Sequence, residues 1–357
     1  MTMLRAARLA LLRTVGALGL DEAALRTRWR TNRLLILGYH GVALDDEHQW
    51  DPELYMPAAL LRRRLELIRE AGCRVLALDD AVRRLYAGDL PPRSVVLTFD
   101  DGTHDFYARA FPIVDTFGYP VTVYLTTYYA EFNRPVYDAM VSYLLWKGRE
   151  RAVRWPEVLG RDDRVRLTAD GRRVLAARLR QFAVERGLTG RDKDALLAGL
   201  AARLDVDYDD IVRRRLLHLM TLSEAGELAR RGVDLQLHTH RHRVSLDAAV
   251  FEREVRDNRE RLWRLRDSEP THFCYPGGVH RRAFLPWLRA RNVASATTCA
   301  PGLASRHDDP LLLPRYIDTA DHTEAEFRGW LTGVAALLPR RRQTEASGQF
   351  LDAPLAA

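Results

Sequence analysis

Short apolar runs rich in branched residues recur along the chain, and they constrain the fold more than any other feature of the sequence. Runs this short, bounded by polar or turn-forming residues, are typical of buried β-strands. Eight can be recognised, the last less regular than the others: LLILG (34–38), RVLAL (74–78), SVVLTF (94–99), VTVYLTT (121–127), VDLQL (233–237), HFCYP (272–276), VASATT (293–298) and LLLPRYI (311–317).

The segments between these runs carry apolar residues at three- and four-residue steps, as amphipathic helices do. Strand and helix in alternation predict an α/β fold, either a mostly parallel sheet or a barrel. Two segments show the helical spacing clearly: residues 57–71, with Leu60, Leu61, Leu65 and Ile68, and residues 246–266, with Val250, Phe251, Val255, Leu262 and Leu265.

One region interrupts the alternation. Residues 130–220 contain no strand-like run, so we expect a helical insertion between two strands of the main domain. Residues 147–215 carry eighteen Lys or Arg against twelve Asp or Glu, which fits either a solvated helical surface or one that binds an anionic polymer or lipid. The polar, alanine-rich tail from Arg340 is expected to be disordered.

The N-terminal segment MTMLRAARLALLRTVGALGL is apolar but interrupted by Arg8 and Arg13. It lacks the continuous apolar region of a signal peptide, and no stretch of the chain reaches the ~18 apolar residues of a membrane span. A helix packed on the domain and a helix lying on a membrane surface both remain open. Three cysteines without C-x-x-C spacing indicate a reducing compartment. We therefore expect a cytoplasmic protein with peripheral contact at the inner membrane face, and secretion is the alternative.

The 357 residues include 47% hydrophobic residues, enough for a sizeable core, and carry a net charge of +7. Such a surplus can reflect nucleic acid, an anionic membrane surface or an acidic polymer as a partner. Because no block of Lys and Arg is interleaved with stacking aromatic residues, we expect no nucleic-acid partner.

Polar residues directly follow several of the predicted strands. In barrels of alternating strands and helices, active sites collect at the C-terminal ends of the strands. Four runs end in this way: the first at His40, the third at Asp100 and Asp101, the fifth at His238 with His242 just beyond, and the sixth at Pro276, Gly277 and Gly278.

Adjacent carboxylates such as Asp100 and Asp101 repel each other and lose hydration after a buried strand. A bound cation would relieve the repulsion, and so would separate roles, with one Asp on a metal and its neighbour acting as a base. A helix N-cap followed by a turn glycine is the structural alternative.

The stretch HTHRH places three histidines in five positions, and histidine is the commonest metal ligand among side chains. A strand would bring His238 and His240 to one face, a tight loop or helical turn would pair His238 with His242, and a solvated loop would bind nothing. Two histidines and one carboxylate would leave a divalent metal open positions for water and substrate. Such a metal acidifies water and polarises a carbonyl oxygen, which suits hydrolysis of an amide or ester.

Together, LTFDDG, HTHRH and FCYPGG resemble the motifs of the polysaccharide deacetylases, the carbohydrate esterase family with the NodB homology domain. The resemblance covers roughly residues 33–318 apart from the insertion. It implies a distorted (β/α)7-type barrel, flanked by an N-terminal helical segment (1–32), a C-terminal helix (319–339) and the tail (340–357). It also implies a metal-dependent enzyme, usually with zinc, whose partner is an acetylated glycan and which removes acetyl groups from N-acetylated sugars.

Carried over residue by residue, the resemblance makes Asp100 the catalytic base and Asp101, His238 and His242 the metal ligands. His240 falls at a variable position of the motif, and the resemblance assigns it no ligand role.

The third motif departs from the family pattern. Cys274 stands where the family has an arginine that braces the catalytic Asp, and Gly277 stands where it has a tyrosine whose backbone N–H helps form the oxyanion hole. Gly277 still offers that N–H, with Tyr275 and Pro276 beside it at the substrate. Arg315 is our candidate for the missing arginine, and a plain surface salt bridge is the alternative.

The family's general acid is a histidine after an apolar strand near the C-terminus, which this chain lacks. The matching pattern is ILGYHGV (36–42), as in circularly permuted members, where the first and last strands of a barrel are neighbours. We therefore assign the role of general acid to His40, and a purely structural role for this histidine is the alternative.

Two other functions remain open. One is an inactive relative that binds carbohydrate, and the other is a different amide or ester hydrolase on the same scaffold.

Overall fold

The computed structural model describes residues 3–160, 164–266 and 268–339, and the tail predicted from Arg340 lies outside them. The chain divides into two compact units. The first comprises the described residues up to Glu131 and from Met220 onward, and the second is Phe132–Leu219. None of the helices in the described residues combines the length and apolar character that crossing a bilayer requires.

Eight parallel strands form the main sheet of the first unit, and each of the eight predicted runs supplies one of them. The predicted α/β class, with a barrel-type parallel sheet, is confirmed. The strands of this unit are β1 (Leu35–Tyr39), β2 (Gly41–Val42), β3 (Tyr55–Met56), β4 (Arg74–Val75), β5 (Ser94–Phe99), β6 (Thr122–Leu125), β9 (Asp234–Leu237), β10 (His272–Cys274), β11 (Ser295–Thr297) and β12 (Tyr316–Ile317).

The order across the main sheet is β11-β10-β9-β6-β5-β1-β12, with β4 beside β5, while β2 and β3 form a separate pair. The two edges of the sheet are linked through one chain segment. Leu313 bridges to Thr297 at the end of β11, and Tyr316 pairs with Leu37 of β1. Residues 313–317 therefore close the sheet on itself.

Side chains on successive strand residues point to opposite faces, so each strand contributes to two apolar layers. Leu35 and Leu37 lie in the larger core cluster, which includes residues of the surrounding helices. Ile36 and Val96 belong to the second, smaller cluster. Burial on both faces explains why these strands read as continuous apolar runs.

The second predicted strand is shorter than its run. Only Arg74–Val75 pairs with β5, and a helix begins at Leu78. Asp79 and Asp80 lie in the first turn of that helix, where carboxylates interact favourably with the helix dipole. The apolar run therefore spans a strand end and a helix start.

The helices of the first unit surround the sheet. The predicted N-terminal segment forms three of them, and the predicted C-terminal helix is divided in two by Gly333, whose φ is 84°. In chain order these helices are α1 (Met3–Ala17), α2 (Leu20–Leu25), α3 (Arg28–Thr31), α4 (Glu47–Trp50), α5 (Ala58–Glu70), α6 (Leu78–Ala87), α7 (Phe111–Asp115), α8 (Tyr128–Phe132, which ends at the boundary of the second unit), α14 (Leu222–Arg230), α15 (Ala248–Trp263), α16 (Phe284–Ala290), α17 (Glu324–Thr332) and α18 (Val334–Leu337).

Helix α1 packs on the domain through one side. Leu9 and Leu12 are buried, and Arg5 forms an ion pair with Glu326 of α17 at 3.1 Å. The N-terminal segment is therefore a helix packed on the domain, although other leucines of α1 are exposed.

The described residues of the second unit form five helices, α9 (Tyr137–Lys147), α10 (Pro156–Leu159), α11 (Ala169–Glu185), α12 (Gly190–Arg203) and α13 (Tyr208–Arg213). It also contains an antiparallel pair of strands, β7 (Ala152–Arg154) and β8 (Arg164–Arg166). The prediction of a purely helical insertion missed this pair. Each of these strands has one inward residue, Val153 or Val165, between two exposed residues, so no continuous apolar run marks it.

Candidate active site

Asp100, directly after β5, is held by Arg315 in a two-pronged ion pair. Nη1 of Arg315 donates to Oδ1 at 2.8 Å, and Nη2 donates to Oδ2 at 2.7 Å. Both side chains are buried, and Arg315 also donates to the Thr98 hydroxyl and the Thr298 carbonyl. The sequence alternative of a surface salt bridge does not describe this arginine.

Burial opposes ionisation of Asp100, but the charge and hydrogen bonds of Arg315 outweigh it and lower the pKa of Asp100 to about 2. Asp100 is therefore ionised at neutral pH. A guanidinium is well suited to stabilising an ionised carboxylate, because its planar group can donate to both carboxylate oxygens at once.

Arg315 reaches Asp100 from a strand far away in sequence. It lies in the segment that closes the sheet, between Leu313 and Tyr316. Its Nη2 passes 3.1 Å from the thiol of Cys274, the residue at the position of the family's arginine. A small side chain at Cys274 leaves the room that the guanidinium occupies.

Asp101, His238 and His242 form a compact cluster next to this pair. The Nε2 atoms of His238 and His242 lie 3.2 Å and 3.1 Å from the same oxygen, Oδ1 of Asp101. One ligand atom from each residue falls within 4.8 Å of the others. Two imidazoles and one carboxylate are a donor set suited to a divalent transition metal.

Unusual backbone conformations bring the three groups together. Asp101 has a φ of 67°, and in the loop after β9 Thr239 and His242 have φ values of 61° and 56°. Left-handed conformations are uncommon for residues other than glycine and concentrate at functional sites. Gly102, with a φ of 77°, completes the turn, and a Cβ there would lie 2.2 Å from a methyl carbon of Leu125.

His238 is oriented by groups behind it. Its Nδ1 lies 2.9 Å from the Cys274 carbonyl, so Nδ1 carries the hydrogen and Nε2 presents its lone pair to the cluster. Its backbone N–H donates to Asn258 Oδ1 at 2.9 Å. Metal-binding histidines are usually held in this way, and the donor set therefore fits a metal.

Asp101 and the two histidines of the cluster favour each other's charged forms. Burial raises the pKa of Asp101, but the neighbouring His242 and His238 outweigh burial and hold that pKa well below its usual range. Burial lowers the pKa of His242, and the Asp101 carboxylate outweighs it, so this pKa is raised.

A second group, Asp100, His238 and Cys274, also has ligand atoms within 4.8 Å of one another. The guanidinium of Arg315 touches both Asp100 and Cys274 and would repel a cation there. Burial raises the pKa of the Cys274 thiol well above its usual range, so the thiolate that a metal prefers is disfavoured.

His40, directly after β1, also lies beside Asp100, with its Nε2 3.8 Å from Oδ2. His240 belongs to neither of the two ligand groups found in the described residues. Its Nδ1 lies 2.9 Å from the Thr127 hydroxyl, and burial lowers its pKa to about 4. His240 is therefore a neutral, structural histidine.

The third motif divides between core and surface. Tyr275 is fully buried and its hydroxyl donates to the Leu311 carbonyl, so its side chain packs in the core, and its contact with substrate stays a prediction. Pro276 is also buried, whereas Gly277 is exposed and has a φ of 58°. Of these three, Gly277 is the one whose backbone is open to a ligand.

Two supporting residues were missed in the sequence. Glu254 and Asn258 are buried on α15, one helical turn apart. Glu254 accepts hydrogen bonds from the backbone of Arg241 and from the side chains of Arg241 and Arg243, and so holds the histidine loop. Polar residues at helical spacing on the apolar face of residues 246–266 were the available signal.

A polysaccharide deacetylase family model matches residues 87–149, which include Asp100 and Asp101. The chain is 33% identical over 94 residues to the poly-beta-1,6-N-acetyl-D-glucosamine N-deacetylase of Escherichia coli strain K12. That match covers 26% of this chain and 14% of the relative, so the chain spans only a small part of the relative's length.

Two solved structures share the fold. The Streptococcus pyogenes deacetylase PplD, in complex with acetate, superposes with a TM-score of 0.55 at 18% identity, covering 87% of this chain and 100% of that one. IcaB from Ammonifex degensii superposes with a TM-score of 0.51 at 15% identity, covering 84% and 97%. The segment that carries Asp100 and Asp101 thus matches the polysaccharide deacetylases in sequence, and the first unit shares their fold. The family resemblance is thereby confirmed, while the circular permutation of this deacetylase domain stays a prediction.

Proposed function

We propose that the protein is a metal-dependent hydrolase that removes acetyl groups from N-acetylated sugars of a polysaccharide or glycoconjugate. The observation that carries the proposal is the convergence of a buried, ionised Asp100 with the cluster of Asp101, His238 and His242 and with His40. The Escherichia coli relative, a poly-beta-1,6-N-acetyl-D-glucosamine N-deacetylase, supports the same reaction class.

Asp101, His238 and His242 would hold the metal, and we propose zinc because two imidazoles and a carboxylate are among its preferred ligands. Such a cation, when bound, polarises the acetyl carbonyl and acidifies water. Asp101 already faces both imidazoles through one oxygen, and Nε2 of His238 is the nitrogen left for binding.

Asp100 takes a proton from the attacking water in this proposal. Its low pKa keeps it ionised at neutral pH, as a base requires. Arg315 keeps the carboxylate in a fixed orientation through both of its oxygens, which limits the motion that proton transfer would otherwise need.

His40 gives a proton to the amine nitrogen as the C–N bond breaks, so acetate and a free amino sugar leave. Its Nε2 lies 3.8 Å from the Asp100 carboxylate, so base and acid flank one reaction centre. The exposed backbone N–H of Gly277 would stabilise negative charge on the acetyl oxygen.

Acetate release from a panel of N-acetylated oligosaccharides, with metals added back to chelated protein, tests the proposal. We expect zinc-dependent release by the wild type and loss of both metal and activity in Asp101→Ala. The matched control is Asp115→Ala, an exposed Asp outside the cluster, which should keep metal and activity. Oligosaccharide binding without acetate release would instead favour a non-catalytic relative, and activity on simple amides alone would favour another hydrolase.

We also propose that α1 contacts an anionic membrane surface. Leu4 and Leu11 are 42% and 47% exposed and lie seven residues apart, on one line of the helix, and Leu18, which is 67% exposed, directly follows its last residue. The helix also carries the exposed Arg13, and the segment has no acidic residue through Leu20, a composition that suits anionic lipid headgroups.

Sedimentation with vesicles of phosphatidylglycerol or phosphatidylcholine tests this contact. We expect binding to the anionic vesicles, weakened by Leu11→Ser with Leu18→Ser. The control is Leu246→Ser, which alters a leucine that is 53% exposed elsewhere on the surface. Equal binding by all variants would contradict the proposed contact.

A further inference from the structure

The backbone on both sides of His40 is fixed, whereas no side chain among the described residues is within hydrogen-bonding distance of its ring. Before His40, the carbonyl of Tyr39 accepts a hydrogen bond from the Asp100 N–H at 2.9 Å. On the ring, Nε2 lies 3.8 Å from Asp100, beyond hydrogen-bonding distance. Nδ1 is buried and has no hydrogen-bond partner among the described residues. The orientation of the imidazole therefore depends on the backbone that carries it.

After His40, the chain is held by Asp105. The Val42 N–H donates to Oδ1 of Asp105 at 2.7 Å, the short end of the range for N–H···O hydrogen bonds. The neighbouring bonds, Gly41 N–H to the Leu54 carbonyl and Ala43 N–H to the Met56 carbonyl, are backbone bonds within the β2–β3 pair.

Asp105 connects the two sides of the reaction centre. It lies four residues after Asp101, and the π-helical turn Phe106–Ala110 begins directly after it. Its bond to Val42 therefore fixes the segment after His40 to the chain that carries Asp100 and Asp101.

We propose that Asp105 is a positioning residue for His40, which it holds at the leaving-group side of the site through the Val42 backbone. This inference rests on the proposed function. Asp105 is buried, and burial raises its pKa to about 7, with a smaller contribution from Glu47. A carboxyl group is unfavourable in such surroundings, and groups kept buried in this way are concentrated at functional sites.

Two substrates that differ in their leaving group can distinguish a role of Asp105 in positioning His40 from a role in stabilising the fold. An N-acetylglucosamine oligomer needs protonation of its amine, whereas 4-nitrophenyl acetate releases an anion that needs none. We expect Asp105→Ala to lower kcat on the oligomer by about tenfold to a hundredfold, as displacement of a catalytic group does, and to affect the aryl acetate much less. Metal content should stay unchanged, and Asp115→Ala serves as the same substitution on an exposed Asp.

A double-mutant cycle gives the second readout. Because Asp105 acts through His40, Asp105→Ala should cause no further loss on the oligomer in a His40→Ala background. Asp105→Asn keeps an oxygen that can accept from Val42 and should retain most of the activity. Asp105→Glu keeps the charge but moves the acceptor by one methylene and should show the leaving-group-dependent loss, which provides the test if the Ala variant does not fold.

Equal losses on both substrates, or additive losses with His40→Ala, would overturn the positioning role while the deacetylase function stands. A wild-type protein that releases no acetate from any glycan would overturn the proposed function itself, and the inference with it.

Discussion

Replacing Arg315 by Met should destabilise the protein strongly, because it leaves the Asp100 carboxylate buried without a cation. Methionine has a similar length but no charge and no donor, so both hydrogen bonds to Asp100, at 2.8 Å and 2.7 Å, are lost. Removing one partner of a buried ion pair typically lowers the free energy of unfolding by ~3–5 kcal/mol. We expect Arg315→Met to fall in this range.

The pH dependence gives a second estimate. The pKa of Asp100 falls from its ordinary 3.8 to about 2 in the folded protein. This lowering corresponds to about 2 kcal/mol of stability. Because the folded pKa is the lower one, the stabilisation is fully present above the unfolded pKa of about 4 and is lost as pH falls through the folded pKa of about 2. In Arg315→Met, burial, the largest influence on this pKa, is opposed only by the weaker effects of His40 and His238, so the protonated form of Asp100 is favoured. The variant should therefore lose stability as pH rises above about 4.

Urea unfolding of chelator-treated protein measures these changes without a contribution from metal binding. The matched variants are Arg315→Lys, which keeps the charge but not the planar fork, and Arg315→Met combined with Asp100→Asn, which removes both charges. We expect Lys to be intermediate and the double variant to be more stable than Arg315→Met alone, because no charge is left buried. A double variant less stable than Arg315→Met, or a single variant within about 0.5 kcal/mol of wild type, would refute this account of the pair.

Three further outcomes are expected. Asp100→Asn should keep its metal, measured by elemental analysis, and lose roughly a hundredfold in kcat for acetate release, because the base is removed; unchanged kcat would exclude Asp100 as the base. Gly102→Ala should lower the free energy of unfolding more than Gly118→Ala, since both glycines have a positive φ but only at Gly102 does a Cβ collide with Leu125; equal losses would contradict the steric argument. Folding raises the pKa of Asp105 from 3.8 to about 7, so the wild type loses stability as pH rises from about 4 to 7, by on the order of 4 kcal/mol. Asp105→Asn has no carboxyl group to ionise and should not show this loss. Parallel pH profiles of the two proteins in thermal unfolding would contradict the raised pKa.

The strands and the positions of the polar residues at their ends could be predicted from the sequence, because both depend on local patterns. Burial on both faces requires continuous apolar runs, and all eight runs supply strands of the main sheet. Parallel strands bring their C-terminal ends to one rim, so His40, Asp100 and His238 were expected together. Strand lengths were less accurate, since an apolar run such as 74–78 also suits the buried side of a helix start.

The choice among the three histidines lay beyond the local pattern. Spacing alone allowed His238 with His240 or with His242, and it was the family resemblance that selected His242. In the folded chain, the left-handed conformations of Thr239 and His242 turn the loop so that His238 and His242 face Asp101. These conformations are stabilised by contacts distant in sequence, such as the bond from Thr126 to the Thr239 carbonyl, and no local propensity predicts them.

The family resemblance made Arg315 a candidate partner of Asp100, against a surface salt bridge, and only the tertiary structure brings the two side chains together. Arg315 is 215 residues away in sequence, and its ion pair exists because the last strand closes the sheet beside β1 while Cys274 leaves space for the guanidinium. The sequence determined that a buried carboxylate here would need a cation or a metal, because an isolated buried charge is too unfavourable. Which cation meets it depends on sheet closure and on the volume of one neighbouring side chain, and these are properties of the packed chain rather than of any segment of it.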